Sequence, residues 1–222
     1  MISRALVACD SPFESLLVAA NFKTLGLEVR RIVNATPFDL PEISAFNPDV
    51  AYLSLGFNIL GGIAYADHLR LWKPAIGLVF VSDTPILQLL GFAEKELPHG
   101  AQLILRNSVT DIFILQDALH SSVDAALNRD KMSWVKTRTS TDMEAWNTSF
   151  SVLSSTQIET FRLLAQGLSN LEIARVREVS EKSVEHIIGR IAAALNVTSS
   201  TRINQRVKLA REYFRIAGAP LD

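Results

Sequence analysis

The apolar positions of the first 128 residues gather into short runs: "ALVAC" (5–9), "VRRIV" (29–33), "VAYLSL" (50–55), "IGLVFV" (76–81) and "QLILR" (102–106). The segments between them are long enough for helices. "PFESLLVAANFKTLG" follows Ser11, opens with Pro12 and stops at Gly26, which is a cap, a first-turn proline and a terminator. "DIFILQDALHSSVDAAL" (111–127) repeats its apolar residues at helical spacing. Strands alternating with helices predict a five-stranded parallel, doubly wound (βα)5 sheet. The central runs are apolar throughout, as strands covered on both faces require. Such sheets bind ligands beyond the carboxyl ends of their strands. Cys9–Asp10, Ser54, Ser82–Asp83 and Arg106–Asn107 stand at those ends.

Residues 129–150, "RDKMSWVKTRTSTDMEAWNTSF", are polar and hold no sustained period, so they read as a linker between a first domain (1–128) and a second (151–222). A short helix is expected around Met143–Trp146, and the two tryptophans imply that the linker docks on something. From Leu153 onward the pattern is helical. "SSTQIETFRLLAQG" carries a capping box at Ser154 and Gln157 and stops at Gly167. "SNLEIARV" repeats the device with Ser169 and Glu172. "SEKSVEHIIGRIAAALNV" starts at Ser180, and Val184, Ile187, Ile188, Ile191 and Leu195 form one buried stripe. Lys182, Glu185, His186, Gly189 and Arg190 fall elsewhere on it. A last helix is expected from Ser199–Ser200 to Ile216. Four short helices joined by tight turns predict a helix-turn-helix module.

Charge sharpens the division. Residues 1–128 carry 8 Lys/Arg against 13 Asp/Glu, and residues 151–222 carry 10 against 7, although the whole chain is at −1. A basic second half behind an acidic first half points to an anionic partner for the second. One cysteine, Cys9, excludes an internal disulfide framework and fits a reducing compartment. The 17 uncharged residues at 50–66 include Ser54, Gly56, Asn58, Gly61 and Gly62 and are short for a membrane span. A buried strand, a loop and a helix are expected there instead. With no signal-peptide core at the amino terminus, a cytoplasmic protein is expected. No phosphate-binding loop, dinucleotide fingerprint or nucleophile elbow occurs, and His68, His99 and His120 have no partner at metal-ligand spacing. No enzyme activity, cofactor or metal is expected.

The stretch from Leu153 to about Tyr213 resembles the LuxR/NarL-type DNA-binding domain. Leu153, Glu159, Leu163–Leu164, Gly167–Leu168–Ser169–Asn170, Glu172–Ile173–Ala174, Ser180–Glu181–Lys182, Val184 and Leu195 carry the resemblance. It implies that the helix beginning near Ser180 enters a DNA major groove. Helix starts at Ser169–Asn170 and Ser180–Lys182 would offer free N–H groups to phosphates. The implied contact set is Ser169, Asn170, Arg175, Ser180, Lys182, Ser183, Glu185, His186, Gly189, Arg190 and Arg202, with Arg177, Arg206 and Lys208 as further cations. The chain departs from the family at Glu185, where a basic residue is usual, and at Gly189. Arg177–Glu178 also replaces the family's apolar-Gly turn.

Residues 3–127 resemble a response-regulator receiver domain through "ALVACDSPF", "NPDVAYLSL", Gly62, "VFVSD" and "GAQLILRN". A receiver holds Mg²⁺ on acids and phosphorylates an aspartate. Here Cys9 replaces the first acid, Asp10 keeps the second, Ser54 replaces the acceptor, Ser82 keeps the hydroxyl, and Arg106 or Asn107 stands for the lysine. Mg²⁺ wants hard oxygen ligands, and a serine hydroxyl without a base is a poor nucleophile. The expectation is an atypical, phosphorylation-independent regulator that binds double-stranded DNA as a homodimer. A small-molecule or protein signal is expected at the receiver-like domain. The alternative is a protein-interaction regulator with weak or no DNA binding.

Overall fold

The computed structural model describes residues 2–9, 11–33, 39–55, 59–136, 153–197 and 204–217. Two compact units divide the chain: Met1–Asp83 with Glu94–Ser140, and Thr84–Ala93 with Thr141–Asp222.

In the first unit the apolar runs become parallel strands: β1 (Arg4–Cys9), β2 (Glu28–Val33), β3 (Val50–Leu55), β4 (Gly77–Ser82) and β5 (Gln102–Leu105). A sixth strand, β6 (Ser133–Trp134), pairs with β5, giving the order β2-β1-β3-β4-β5-β6. The helices between are α1 (Pro12–Thr24), α2 (Leu40–Phe46), α3 (Ile59–Trp72) and α4 (Ile112–Asn128). Alternate strand residues pack into two buried layers. Val7, Tyr52, Val79, Val81 and Ile104 meet Val18 and Phe22 of α1 and Leu115, Ala118 and Leu119 of α4. Leu6, Leu53, Leu78, Phe80 and Leu103, in the other register, are equally buried. A sheet closed on both faces explains the absence of polar alternation in the runs.

Capping fixes where the helices begin. The Ser11 hydroxyl accepts from the Glu14 N–H, with Pro12 in the first turn, and the Asp111 carboxylate accepts from the Phe113 and Ile114 N–H groups. Ser11 thereby sets Glu14 one turn above the carboxyl end of β1.

The doubly wound parallel sheet follows the expectation, with two differences. The sixth strand lies in the stretch read as a linker; two residues are too few to show a period. Between β4 and β5 the described chain forms only two 3-10 turns, Leu87–Leu90 and Glu94–Glu96, in place of a helix. The first belongs to the second unit. The expected helix at Met143–Trp146 lies outside the described residues, while the Trp134 indole N–H donates to Glu94 at 3.1 Å.

The second unit contains α5 (Ser155–Ala165), α6 (Asn170–Val176), α7 (Glu181–Ala194) and α8 (Gln205–Ile216). Both halves of the Ser154–Gln157 capping box form, and Ser169 and Ser180 cap α6 and α7. Ile158, Phe161 and Leu164 of α5, Ile173 of α6, Val184 and Ile191 of α7, and Leu209, Tyr213 and Ile216 of α8 share one core. Ile86 and Leu89 join it from the 84–93 segment. The Tyr213 ring stands edge-on to Phe161 at 5.2 Å, and its hydroxyl donates to the Leu89 carbonyl. Burial pushes the Tyr213 hydroxyl up to about 12, so it stays a neutral donor across the physiological range. The last helix begins at Gln205, capped by Asn204; the expected start at Ser199–Ser200 lies outside the described residues.

Leu89 is fully buried in this core. Leu89→Ala is expected to destabilise the second unit by about 2–5 kcal/mol. Amide exchange across 153–197 in the full chain measures it; unchanged protection would show that the 84–93 segment is not part of that core.

Candidate functional site

Parallel pairing brings the strand ends of the first unit together. Ser54 pairs with Val81, and Ser82 with Leu105, so Arg106 emerges immediately after β5 beside both. The Arg106 Nε donates to Asp83 Oδ1 at 2.6 Å, and Nη2 donates to Ser54 Oγ at 3.0 Å and to Asp83 Oδ2 at 3.4 Å. Nη1 is ion-paired with Glu14. Glu14 also accepts from the Tyr52 hydroxyl at 2.8 Å. The guanidinium fork thus joins α1, β3, β4 and β5 through two carboxylates and one serine.

Electrostatics keep this group charged. Burial alone would lower the Arg106 pKa, but the hydrogen bond to Asp83 and the charges of Glu14 and Asp83 carry it above its ordinary value. The Tyr52 hydroxyl is pushed well above its usual range, first by burial and then by the neighbouring Glu14 carboxylate. It is held as a neutral donor.

Of the residues expected at the strand ends, the structure unites Ser54, Asp83 and Arg106. Cys9 is buried in the sheet's core with Val7, Val18 and Tyr52. Ser82 is fully buried, Asn107 is exposed, and Asp10 lies outside the described residues. Of the pair Arg106–Asn107, it is Arg106 that reaches the other strand-end residues. Sequence reasoning missed Glu14 and Tyr52. Glu14 carried a signal: an acid in the first turn after β1 sits at the strand-end edge where ligands bind. Among the described residues, no three His, Cys, Asp or Glu side chains stand together as metal ligands.

The second unit carries the other candidate surface. On α7, Lys182, Ser183, Glu185, His186, Gly189 and Arg190 are exposed, while Val184 and Ile191 are buried and Ile187, Ile188 and Leu195 pack against the core. The outer face bears two acids, Glu181 and Glu185, and two bases, Lys182 and Arg190. A Cβ built on Gly189 meets nothing within 4 Å. Packing within the chain does not require glycine there, although it costs the helix about 1 kcal/mol relative to alanine. The Ser180 hydroxyl accepts from the Ser183 N–H and lies 2.8 Å from the Ser183 hydroxyl.

Several cations expected on that surface serve the fold. Arg177 Nη1 donates to Thr160 Oγ1 at 2.6 Å and its Nε to Glu159 at 3.3 Å, tying the end of α6 to α5; its side chain is 10% exposed. Arg206 donates to Asn170 Oδ1 at 2.6 Å and to the Leu168 carbonyl, tying α8 to the start of α6. Arg175 pairs with Glu172 along α6. Lys182, Arg190 and Lys208 keep clear of such ties among the described residues, and Arg202 lies outside them. Glu178 adopts a left-handed φ of 52° in the α6–α7 turn. The turn therefore keeps the geometry that a glycine would serve, at a cost of about 1 kcal/mol in an L-residue.

Residues 151–207 match bacterial regulatory proteins of the luxR family. No curated protein matches the sequence. Among solved structures, RcsB from Salmonella enterica serovar Typhimurium, bound to promoter rprA in the presence of phosphomimetic BeF3-, is 14% identical. The match covers 95% of this chain and 98% of that one with a TM-score of 0.53. A structure of two RcsB dimers bound to two parallel DNAs is 16% identical, with 99% and 100% covered and a TM-score of 0.53. At such identities the likeness is one of fold. The chain carries a luxR-type helix-turn-helix segment behind a receiver-like unit.

Removing the guanidinium leaves Glu14 and Asp83 without their shared cation. The Arg106 side chain is 36% exposed, so water offsets part of the loss. Arg106→Ala is expected to destabilise the first unit by about 1–3 kcal/mol, below the range for a fully buried pair. Urea denaturation checks this, and an unchanged midpoint would mean that the carboxylates are held by other groups.

Proposed function

We propose that this chain is a transcription regulator that binds double-stranded DNA as a dimer through the outer face of α7, without aspartyl phosphorylation of its receiver-like unit. The observation that carries the DNA reading is the capped α6–α7 pair inside the segment matching luxR-family regulators, with one side of α7 buried and the other free. Lys182 and Arg190 suit phosphates, as do the uncapped N–H groups at the starts of α6 and α7. Glu185 and His186 stand where base edges are read, and a glutamate accepts from cytosine N4. Gly189 lets a backbone approach the groove closely. Ser169, Asn170, Arg175, Ser180 and Ser183 border this face, while Asn170 and Arg175 also serve the ties described above. Dimer action is supported by the dimers in the RcsB complex and by exposed Val207 on α8; Leu209, Tyr213 and Ile216 of that helix are buried in its own unit.

Phosphorylation independence rests on Arg106. Ser54 occupies the acceptor position, and both carboxylates near it already serve a guanidinium. A phosphoryl group or Mg²⁺ would have to break two ion pairs to enter.

The rival reading, a protein-interaction regulator with little DNA affinity, is favoured by the balance of two acids and two bases on α7. Gel shifts with genomic fragments, at low and moderate salt, separate the two. Fragments are expected to be retained at low salt, with no change on adding acetyl phosphate and Mg²⁺. Glu185→Lys is expected to tighten binding and steepen the logarithmic salt dependence by about 1. Retention of no fragment at low salt would leave the rival standing. A shift that requires acetyl phosphate would overturn the phosphorylation claim.

A further inference from the structure

The amino-terminal edge of the sheet, opposite Arg106, holds a groove of about 870 Å³. It lies between the end of α3, the turns before β4 and β5, and the end of α4. Leu71, Pro74, Ala75, Pro98, Ala126 and Leu127 make it apolar, and Leu71 and Leu127 are 80% and 63% exposed. Its charged groups are Arg70, Arg129 and a single carboxylate, Asp67; His99 completes the lining. Concave sites of this volume with apolar walls and few polar groups are the usual form of small-molecule sites.

The walls are built rigidly. The Gly100 N–H donates to the Asp130 carbonyl at 2.7 Å, and a Cβ on Gly100 would come within 2.5 Å of the Ala126 backbone. Arg70 Nη1 donates to the Pro74 carbonyl at 2.7 Å and Nη2 to the His99 carbonyl at 2.9 Å, clamping both turns. The groove is therefore largely formed before any ligand arrives, which lowers the ordering cost of binding.

Arg70 makes no ion pair among the described residues, although the Asp67 carboxylate stands one helical turn away in the same lining. The Arg70 Nε is buried and has no hydrogen-bond partner among the described residues. Arg106, in contrast, holds two carboxylates. A half-buried cation without an anion is costly, and an incoming anion relieves that cost. Arg129, at the end of α4, adopts φ 56°, a position where glycine is the ordinary choice, and brings a second guanidinium to the same mouth.

We propose that this groove binds a small monocarboxylate with an apolar body, the carboxylate at Arg70 and Arg129 and the body along Leu71 and Leu127. The site is separate from the Arg106 cluster and does not depend on the DNA or phosphorylation reading. It gives the receiver-like unit a place to take a chemical signal.

Decanoate, decanol and decyltrimethylammonium are the probes, titrated into the full chain and followed by amide chemical shifts. Decanoate is expected to shift amides in 67–73 and 126–129, with decanol at least tenfold weaker and decyltrimethylammonium without effect there. Leu71→Asp, at an exposed position that leaves the fold intact, and Arg129→Gly, which suits the left-handed backbone, are each expected to weaken decanoate by about tenfold or more. Equal binding of decanoate and decanol, shifts centred elsewhere, or no effect of Leu71→Asp would overturn the proposal. So would a response to chain concentration alone that Leu71→Asp abolishes, which would mark the groove as a contact between two copies.

Discussion

Strands that run parallel leave all their carboxyl ends on one edge, and the polar groups gathered there must satisfy one another. In this chain a single guanidinium does so. Among the described residues, Arg106 draws together Glu14 from α1, Ser54 from β3 and Asp83 after β4 in one set of ion pairs and hydrogen bonds. Tyr52 donates to Glu14 from beneath and stays neutral through burial.

The second unit is organised by a different requirement: short helices are stable only when one stripe of each is buried in common. The serine caps at 154, 169 and 180 set the starts, and the stripe of α7 faces α5 and α6. Residues 84–93 complete that core, with the Leu89 carbonyl receiving the buried Tyr213 hydroxyl. The chain passes directly from Asp83, which holds Arg106, into this segment.

Local patterns were legible in the sequence, and long-range pairings were not. Uniformly apolar runs foretold doubly covered strands, and capping residues foretold helix starts, because both depend on residues within a turn or two. Glu14 and Arg106 meet across 92 positions of sequence, and nothing local joins an acid in one helix to a base after a distant strand. Nothing local to residues 84–93 announces their burial among the later helices, which is a tertiary outcome. The basic residues of the second half looked alike, yet Arg177 and Arg206 are structural ties. Sequence counts charges but cannot tell paired from free. The groove at Arg70 is assembled from three separated stretches and has no sequence signature at all.

The interaction on which the strand-end edge depends is the hold of Arg106 on its carboxylates. The Arg106 Nε–H resonance in the full chain reports this directly. It is expected to be a single, shifted signal protected from exchange, moved by Glu14→Gln and indifferent to beryllofluoride with Mg²⁺. A rapidly exchanging signal at the position of free arginine, or one that beryllofluoride and Mg²⁺ displace, would contradict it.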